Sequence, residues 1–267
     1  MYAFDYQRPA ELETVLGLLR GASEPKILAG GQTLLPTLKQ RLAQPGMVVD
    51  LARVSGLSGI WAEADGVRIG AMTRHVDVAA SDMVRATIPA LADLAGSIGD
   101  PAVRNRGTLG GSVANNDPTA DYPAACLGLG ATLHTSARAI TADDFFLGLF
   151  ETALADDEVI LAVSFPRPAR AAYAKFRNPA SRYAMAGVFV AQTAHGLRVA
   201  VTGVGQGGVF RWRAAEAALA DSFTPQALDS LSLDADDVMS DIHGSAEYRA
   251  HLAKVMAMRA VGSLCGG

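Results

Sequence analysis

The stretch that decides the fold is Lys26-Ile27-Leu28-Ala29-Gly30-Gly31-Gln32-Thr33, where a short apolar strand runs into two glycines. Four leucines between residues 34 and 42 follow at helical spacing, so the glycines lie between a strand and a helix. Upstream, the spacing of apolar residues predicts a helix over Ala10 to Leu19, and downstream Met47 to Leu51 is typical of a buried strand. Residues 1–55 therefore predict an α/β subdomain built around a glycine turn.

A second subdomain is predicted over residues 56–167, where the apolar pattern changes to period two. Ile60-Trp61 and Val67-Arg68-Ile69 flank Ala64-Asp65-Gly66, whose Asp-Gly dipeptide indicates a hairpin. The remaining predicted elements are helices over Val76 to Ala80 and Ala90 to Ile98 and a strand over Glu158 to Phe165. Between them, Gly99 to Asp121 has few apolar residues and is expected to be a long loop, and such loops usually bind a ligand.

The third predicted domain, residues 168–267, follows a proline-containing linker and is expected to contain antiparallel strands and helices. The strands are predicted over Tyr173 to Phe176, Gly187 to Gln192 and Leu197 to Thr202, and the helices over Arg213 to Ala220, Pro225 to Leu231 and Ala246 to Leu264. A three-stranded antiparallel sheet with a helical bundle is therefore expected here.

Composition excludes several classes of protein. Half of the 267 residues are hydrophobic, 19% are charged and the formal net charge is −4, which excludes a disordered chain and gives no general attraction for nucleic acid. The only cysteines, Cys126 and Cys265, lack the spacing of a zinc or iron-sulfur site, and Cys126 is expected to be a core thiol. Without an apolar signal segment or a long apolar run, the protein is expected to be cytoplasmic, with no transmembrane segment.

Two glycine segments are the candidate binding motifs. The Gly30-Gly31 turn could hold a pyrophosphate or be a plain strand-to-helix turn, since it lacks the lysine of a P-loop. Thr108-Leu109-Gly110-Gly111-Ser112 adds two more glycines and two hydroxyls. The two glycine segments together favour an anion cradle, because glycines have no side chain to keep a pyrophosphate away from the backbone. Arg104 and Arg106, just upstream, could neutralise phosphate or face solvent.

Other motifs are weaker. Gly203 to Gly208 matches the dinucleotide fingerprint G-x-G-x-x-G, but its strand belongs to the predicted antiparallel run and no parallel strand ending in an acid follows, so we reject it. Asp117 and Asp121 could accept hydrogen bonds from ribose, or could be a turn starter and a helix N-cap. The five histidines are scattered, and no catalytic side chain is assigned, so chemistry is expected to belong to a bound cofactor.

The motifs together closely resemble one family, the FAD-binding medium subunits of molybdenum hydroxylases, which include carbon monoxide dehydrogenase and the flavin domain of xanthine dehydrogenase. The resemblance lies in Ala29 to Pro36, Val49-Asp50-Leu51, Ile69 to His75 and Arg104 to Ser112, and continues through Asp117-Pro118, Ala120 to Pro123, Glu158 to Ile160, Lys175 to Arg177 and Trp212 to Leu219. It covers nearly the whole chain. It implies an α+β fold of the vanillyl-alcohol-oxidase (PCMH) type, in which two α/β subdomains clasp FAD and a C-terminal domain follows.

The resemblance also implies the residues that contact FAD. Main-chain N–H groups of the two glycine segments would wrap the pyrophosphate, Asp121 would accept a hydrogen bond from the cofactor, and the loop Ile98 to Val103 would run along the isoalloxazine. Ile160 or Leu161, with Lys175, would lie near that ring. The implied contacts are Leu28, Ala29, Gly30, Gly31, Gln32, Thr33, Leu34, Ile98, Ala102, Thr108, Gly110, Gly111, Ser112, Asp121, Ile160, Leu161 and Lys175.

The function implied is electron transfer. In the family, a large subunit carries molybdopterin, a small subunit carries two [2Fe-2S] clusters, and FAD on the medium subunit passes electrons to an external acceptor; a dimer of heterotrimers, that is a heterohexamer, is expected. The chain departs from the family pattern at Gln32-Thr33 and at Arg182, where several relatives carry an acid, while Tyr183 could stack on the flavin or pack at a strand edge. The alternatives are a stand-alone FAD-dependent oxidase and a non-catalytic assembly paralogue.

Overall fold

The first glycine turn is carried by a three-stranded parallel sheet at the N-terminus. The computed structural model describes residues 1–266, so Gly267, the last residue of the expected third domain, lies outside the described residues. The elements of this part are β1 (Asp5–Gln7), α1 (Leu12–Gly21), β2 (Pro25–Leu28), α2 (Leu34–Lys39) and β3 (Met47–Asp50), with a 3-10 turn at Leu51–Arg53. The strand order is β1-β3-β2, and β3 runs parallel to both neighbours.

This part of the chain matches the prediction with three differences. The edge strand β1 was not predicted, because its three exposed residues carry no apolar alternation. Helix α1 begins at Leu12, two residues later than predicted. Helix α2 ends at Lys39, and Arg41 has a φ of 59°, so Leu42 lies beyond the helix and is exposed.

The second part is organised around a five-stranded antiparallel sheet with the order β4-β5-β10-β6-β7. Its elements are β4 (Ile60–Glu63), β5 (Gly66–Gly70), α3 (His75–Ala80), α4 (Asp82–Thr87), α5 (Pro89–Ser97), α6 (Pro101–Arg104), α7 (Leu109–Asn115), α8 (Tyr122–Leu129), β6 (Thr132–Thr135), β7 (Ala139–Thr141), α9 (Ala142–Phe145), β8 (Phe146–Gly148), β9 (Glu151–Thr152) and β10 (Ile160–Pro166). The hairpin between β4 and β5 pairs Glu63 with Gly66, so it turns where the Asp-Gly dipeptide predicts.

The stretch expected to be one long loop contains two short helices. The Asp100 carboxylate accepts a hydrogen bond from the Val103 N–H at 2.8 Å, which caps α6 at its proline start. The Thr108 hydroxyl likewise accepts from the Gly111 N–H at 3.2 Å and caps α7. The second glycine motif is therefore the first turn of a helix, a feature hidden in the sequence because glycines and polar caps lower the apparent helix propensity.

The third part is a four-stranded antiparallel sheet covered by a long helix. Its elements are β11 (Arg170–Arg177), β12 (Ala184–Thr193), β13 (Gly196–Thr202), β14 (Phe210–Arg211), α10 (Arg213–Asp221) and α11 (Ala246–Cys265), with 3-10 turns at Pro225–Leu228 and Ala235–Asp237. The short strand β14 adds a fourth member to the three predicted, and the predicted helix over Pro225 to Leu231 is one 3-10 turn. The G-x-G-x-x-G segment joins β13 to β14 within an antiparallel sheet, which agrees with its rejection as a dinucleotide fingerprint.

The C-terminal sheet lies between the buried helix α8 and one face of the long helix α11. Along β12, Phe189 joins the apolar cluster around α8, whereas Val188 and Val190 pack in the cluster that contains α11. Every residue of α8 is buried, including Cys126, so the expectation of a core thiol is confirmed. Because α8 packs directly on the sheet, residues at its N-terminus are brought next to side chains of β11.

Candidate functional site

A cavity of 540 Å³, which we call the main cleft, lies where the two glycine segments meet. A volume of this size is typical of small-molecule and cofactor sites, roughly 300–1,000 Å³. Thirteen of the residues expected to contact a cofactor line it: Ala29, Gly30, Gly31, Gln32, Thr33, Leu34, Ile98, Thr108, Gly110, Gly111, Ser112, Asp121 and Ile160. The fold therefore brings together segments that are far apart in the sequence.

Four other expected residues, Leu28, Ala102, Leu161 and Lys175, lie outside this lining. Ile160 lines the cleft, and the next residue of β10, Leu161, packs against the apolar cluster of the first subdomain, at a break in the register between β10 and β6. Lys175 is behind Asp121, to which it is hydrogen-bonded.

The first glycine segment presents unused backbone donors to the main cleft. The carbonyls of Gly31 and Thr33 accept from Leu35 and Thr37 in the first turn of α2. In contrast, within residues 1–266 the N–H groups of the four consecutive residues Gly30 to Thr33 have no hydrogen-bond acceptor. Gly31 has a φ of +74°, a left-handed conformation that favours glycine. A run of free N–H groups is the chemistry that holds an anion.

The second glycine segment is different, because its N–H groups are already used. Leu109 donates to the Thr73 carbonyl at 3.0 Å, Gly110 to the Ala71 carbonyl at 2.8 Å, and Ser112 to the Thr108 carbonyl at 3.1 Å. The expectation that both segments offer main-chain N–H groups is therefore corrected for residues 109–112. The donors left on this segment, among the described residues, are the Thr108 N–H and the hydroxyls of Thr108 and Ser112.

The glycines also have a reason within the chain, because they allow its own segments to touch. A Cβ on Gly30 would lie 2.2 Å from the Arg106 carbonyl oxygen, and one on Gly110 would lie 2.5 Å from the Ala71 Cβ. A Cβ on Gly107 would lie 2.5 Å from the Nε2 of His75. The first glycine loop thus rests directly on the turn that precedes the second, and this contact shapes the floor of the main cleft.

A buried ion pair joins the main cleft to the C-terminal sheet. Asp121 accepts a hydrogen bond from the Lys175 ammonium at 2.9 Å and another from the Tyr173 hydroxyl, and the side chains of the ion pair are 3% and 5% exposed. Burial raises the pKa of Asp121, and the charge of Lys175 opposes that rise. Asp121 is the N-cap residue of α8 by position, as the sequence predicts, but its carboxylate makes no capping hydrogen bond and is used by Lys175 and Tyr173.

His75 is a cleft residue that no sequence motif indicated as functional. Its backbone N–H donates to the Gly107 carbonyl at 3.0 Å, and its ring lies 5.4 Å from that of Tyr122. Burial, assisted by the charge of Arg104, lowers the pKa of His75 to about 4. The imidazole is therefore neutral at pH 7. In the described part of the chain, neither its Nδ1 nor the Tyr122 hydroxyl has a hydrogen-bond partner.

Two further carboxylates of the main cleft are held by the protein itself. Asp117 accepts from the Thr119 N–H at 2.8 Å and from the Thr119 hydroxyl at 2.6 Å, so it is a turn starter. Burial opposes ionisation of Glu158, but hydrogen bonds from Arg138, Thr135 and the backbone outweigh it and lower its pKa to about 2. Both groups are positioned by local bonds.

Tyr183 projects from a short loop over the mouth of the main cleft. The loop is fixed by Asn178, whose Oδ1 accepts from the N–H groups of Ala180 and Ser181 at 2.9 and 3.2 Å. Tyr183 lines the cleft with its side chain still 47% exposed, which favours contact with a bound molecule over packing at a strand edge. Burial, followed by the charges of Asp117 and Asp121, raises its pKa.

Comparison with known proteins identifies the family of the chain. Residues 2–168 match the family model described as the FAD binding domain in molybdopterin dehydrogenase, and residues 171–264 match the CO dehydrogenase flavoprotein C-terminal domain. The chain belongs to the FAD-binding family of molybdopterin dehydrogenases. The resemblance inferred from the glycine segments is confirmed, since the family match spans both of them.

Two curated members of the family are similar over nearly their whole length. The chain is 36% identical to the nicotine 6-hydroxylase medium subunit of Paenarthrobacter nicotinovorans, covering 97% of this chain and 96% of the relative. It is 35% identical to the carbon monoxide dehydrogenase medium chain of Hydrogenophaga pseudoflava, with the same coverage of 97% and 96%.

Solved structures of the family have the same fold. The carbon monoxide dehydrogenase from Hydrogenophaga pseudoflava that lacks the Mo-pyranopterin moiety of the molybdenum cofactor superimposes with a TM-score of 0.88 at 36% identity, covering 98% of this chain and 96% of that one. Quinoline 2-oxidoreductase from Pseudomonas putida 86 gives a TM-score of 0.88 at 33% identity, with coverage of 98% and 96%. The expected FAD-binding fold with an antiparallel C-terminal domain is thus confirmed.

The described residues contain neither a candidate metal site nor a helix that could cross a membrane. No three histidine, cysteine, aspartate or glutamate side chains among residues 1–266 come together as a candidate metal site. No helix in the same range combines the length and the apolar character needed to cross a bilayer.

Proposed function

We propose that this chain holds FAD in the main cleft and transfers electrons within a molybdenum hydroxylase complex. The observation that carries the proposal is the run of four free N–H groups at Gly30 to Thr33, which faces a cleft of 540 Å³ beside the Thr108 and Ser112 hydroxyls. These donors suit a pyrophosphate, and apolar residues such as Ile98 and Ile160 in the same cleft suit a flavin ring. The residues present therefore fit FAD.

The two glycine segments have different roles in this proposal. Gly30 to Thr33 donate backbone N–H groups to the pyrophosphate, while Thr108 and Ser112 offer hydroxyls from the opposite wall. Asp121 accepts a hydrogen bond from the cofactor with the lone pairs that Lys175 and Tyr173 leave free. Leu28, Ala102 and Leu161 support the wall from behind it.

FAD, when bound, supplies the one- and two-electron chemistry that no side chain of this chain provides. The protein orients the flavin and excludes water. Ile98, Val103 and Ile160 supply apolar surface, and Tyr183 covers the mouth. His75 is neutral at pH 7, because its pKa is about 4, so it carries no imidazolium proton for acid catalysis and only one ring N–H for a hydrogen bond.

The partners are proposed from the relatives, which are the medium subunit of a hydroxylase and the medium chains of two dehydrogenases. We infer a large molybdopterin subunit and a small subunit with two [2Fe-2S] clusters, assembled with this chain as a dimer of heterotrimers in the cytoplasm. Electrons pass from the clusters through FAD to an external acceptor. The proposal places the metal centres on these partners, and no three histidine, cysteine, aspartate or glutamate side chains come together among residues 1–266.

Purification of the tagged chain with its partners tests the proposal. We expect one FAD per chain, with the absorbance bands of oxidised flavin, and co-purification of a molybdopterin subunit and an iron-sulfur subunit. A complex with both partners present that releases no FAD when it is denatured would favour the assembly paralogue. A flavin-containing chain that is free of partners and turns over a substrate with oxygen would favour the stand-alone oxidase.

A further inference from the structure

A second cavity, of 380 Å³, lies beside the main cleft. Its charged lining consists of four arginines and one aspartate: Arg85, Arg104, Arg177, Arg182 and Asp93. With all five ionised, this lining has a formal charge of +3. Gly99 and Arg182 line both cavities, so the arginine cavity adjoins the main cleft across the segment that follows α5.

Backbone carbonyls fix two of these guanidinium groups. The Nε of Arg85 donates to the Ala79 carbonyl at 2.9 Å, and Nη1 of Arg104 donates to the carbonyls of Ile98 and Gly99, each at 3.0 Å. Neutral carbonyls orient a guanidinium without cancelling its charge. The remaining N–H groups of both side chains are therefore available to an acceptor in the cavity.

The loop that carries Arg182 is also held in place. Asn178 hydrogen-bonds the backbone of the loop, and the Arg182 N–H donates to the Asn178 carbonyl at 2.9 Å. Arg182 itself has a φ of 62°, a left-handed conformation that is uncommon for a residue with a side chain. The surrounding hydrogen bonds maintain this conformation at the rim shared by the two cavities.

Some arginines elsewhere in the protein are paired with carboxylates, as Arg198 is with Asp143 and Arg249 with Asp241. In the described range 1–266, none of the four cavity arginines forms such an ion pair. Four guanidinium groups around one concave surface, with Asp93 as the one carboxylate of the lining, leave an excess of positive charge that a bound anion would offset.

We propose that the arginine cavity binds the diphosphate group of a small molecule. Guanidinium groups bind phosphate oxygens bidentately, and the formal charge of +3 matches the two or three negative charges of a diphosphate. A cavity of 380 Å³ is large enough for such a group with an attached substituent. The site is distinct from the pyrophosphate cradle of the main cleft, which is lined by glycines.

Calorimetric titration of the FAD-loaded chain with inorganic pyrophosphate and with ADP tests this site. FAD fills the main cleft, so the flavin absorbance must stay unchanged while the probe binds. We expect saturable one-to-one binding that weakens as ionic strength rises. Equal affinities for the two probes indicate that the site reads the phosphates alone, whereas tighter binding of ADP indicates a nucleotide; both support a diphosphate site.

Substitutions localise the binding. Arg85→Gln and Arg177→Gln are each expected to weaken the affinity about tenfold, since each removes a charge-assisted hydrogen bond. Arg259→Gln, an exposed arginine of α11 outside both cavities, is the matched control and should leave the affinity unchanged. No saturable binding of either probe, or the same affinity in both cavity variants as in the unaltered chain, would overturn the proposal. Because the readout is heat, the result is independent of electron transfer.

Discussion

Replacing Gly30 by alanine is expected to push apart the two segments that form the main cleft. The added Cβ would lie 2.2 Å from the Arg106 carbonyl oxygen and 2.7 Å from the Gly107 Cα. Both neighbours are backbone atoms, which cannot move aside by rotating a side chain. Relief of the overlap requires a separation of about 1 Å, and overpacking of this kind costs about 1–3 kcal/mol.

The same displacement moves the free N–H groups of Gly30 to Thr33 away from the pyrophosphate position. If two hydrogen bonds to a charged group are lost at about 1.5 kcal/mol each, FAD affinity falls about 100-fold. Unfolding of Gly30→Ala by denaturant measures the loss of stability caused by overpacking. Titration of the apoprotein with FAD, followed by quenching of flavin fluorescence, measures the loss of FAD affinity.

Gly17→Ala is the matched control, since Gly17 is an exposed residue of α1 and a Cβ there would meet nothing within 4 Å. Alanine at this helical position is expected to stabilise the protein by about 0.5–1 kcal/mol, with no change in FAD affinity. The reasoning fails if Gly30→Ala binds FAD within about threefold of the unaltered protein, because 3 kcal/mol corresponds to about 100-fold.

Three buried ionisable groups, Lys175, His75 and Glu158, give further predictions. Lys175→Met leaves Asp121 without its ion-pair partner and should lower the free energy of unfolding by about 3–5 kcal/mol, most of which Asp121→Asn should restore in the double variant; denaturant titration measures both. The folded protein favours the neutral form of His75, so the contribution of this group to the free energy of unfolding is fully present above pH 6.5. That contribution, about 3 kcal/mol, is lost as the pH falls from 6.5 toward 4. Unfolding titrations across this pH range should show a smaller loss of stability in His75→Gln. Glu158 has its pKa lowered from 4.5 to about 2, so its contribution is present above pH 4.5 and is lost toward pH 2. Glu158→Gln should therefore lower the free energy of unfolding by about 2 kcal/mol at pH 7 and by almost nothing at pH 2, in the same assay. The figure at pH 7 allows for solvent screening, because the Arg138 side chain is half exposed.

The sequence by itself determined the local elements and the family. The strand and helix around Gly30, the hairpin at Asp65-Gly66 and the long strands of the C-terminal sheet all follow from short-range periodicity and turn chemistry. The two glycine motifs favoured an anion cradle, and the resemblance of the whole chain to one family implied FAD. The helical start at Thr108 was missed, since its cap becomes visible only when the hydroxyl is seen to accept from Gly111.

Only the tertiary structure decided which groups remain free for a ligand. The N–H groups of residues 109–112 are consumed by carbonyls of Ala71, Thr73 and Thr108, whereas those of Gly30 to Thr33 are not. Lys175 reaches Asp121 across 54 residues, and the arginine cavity gathers side chains from the second subdomain and the C-terminal sheet. Periodicity reports which face of one element is buried, but not which distant element covers it. Which hydrogen-bonding groups are satisfied, which side chains are buried and which like charges cluster all depend on which distant element covers each face.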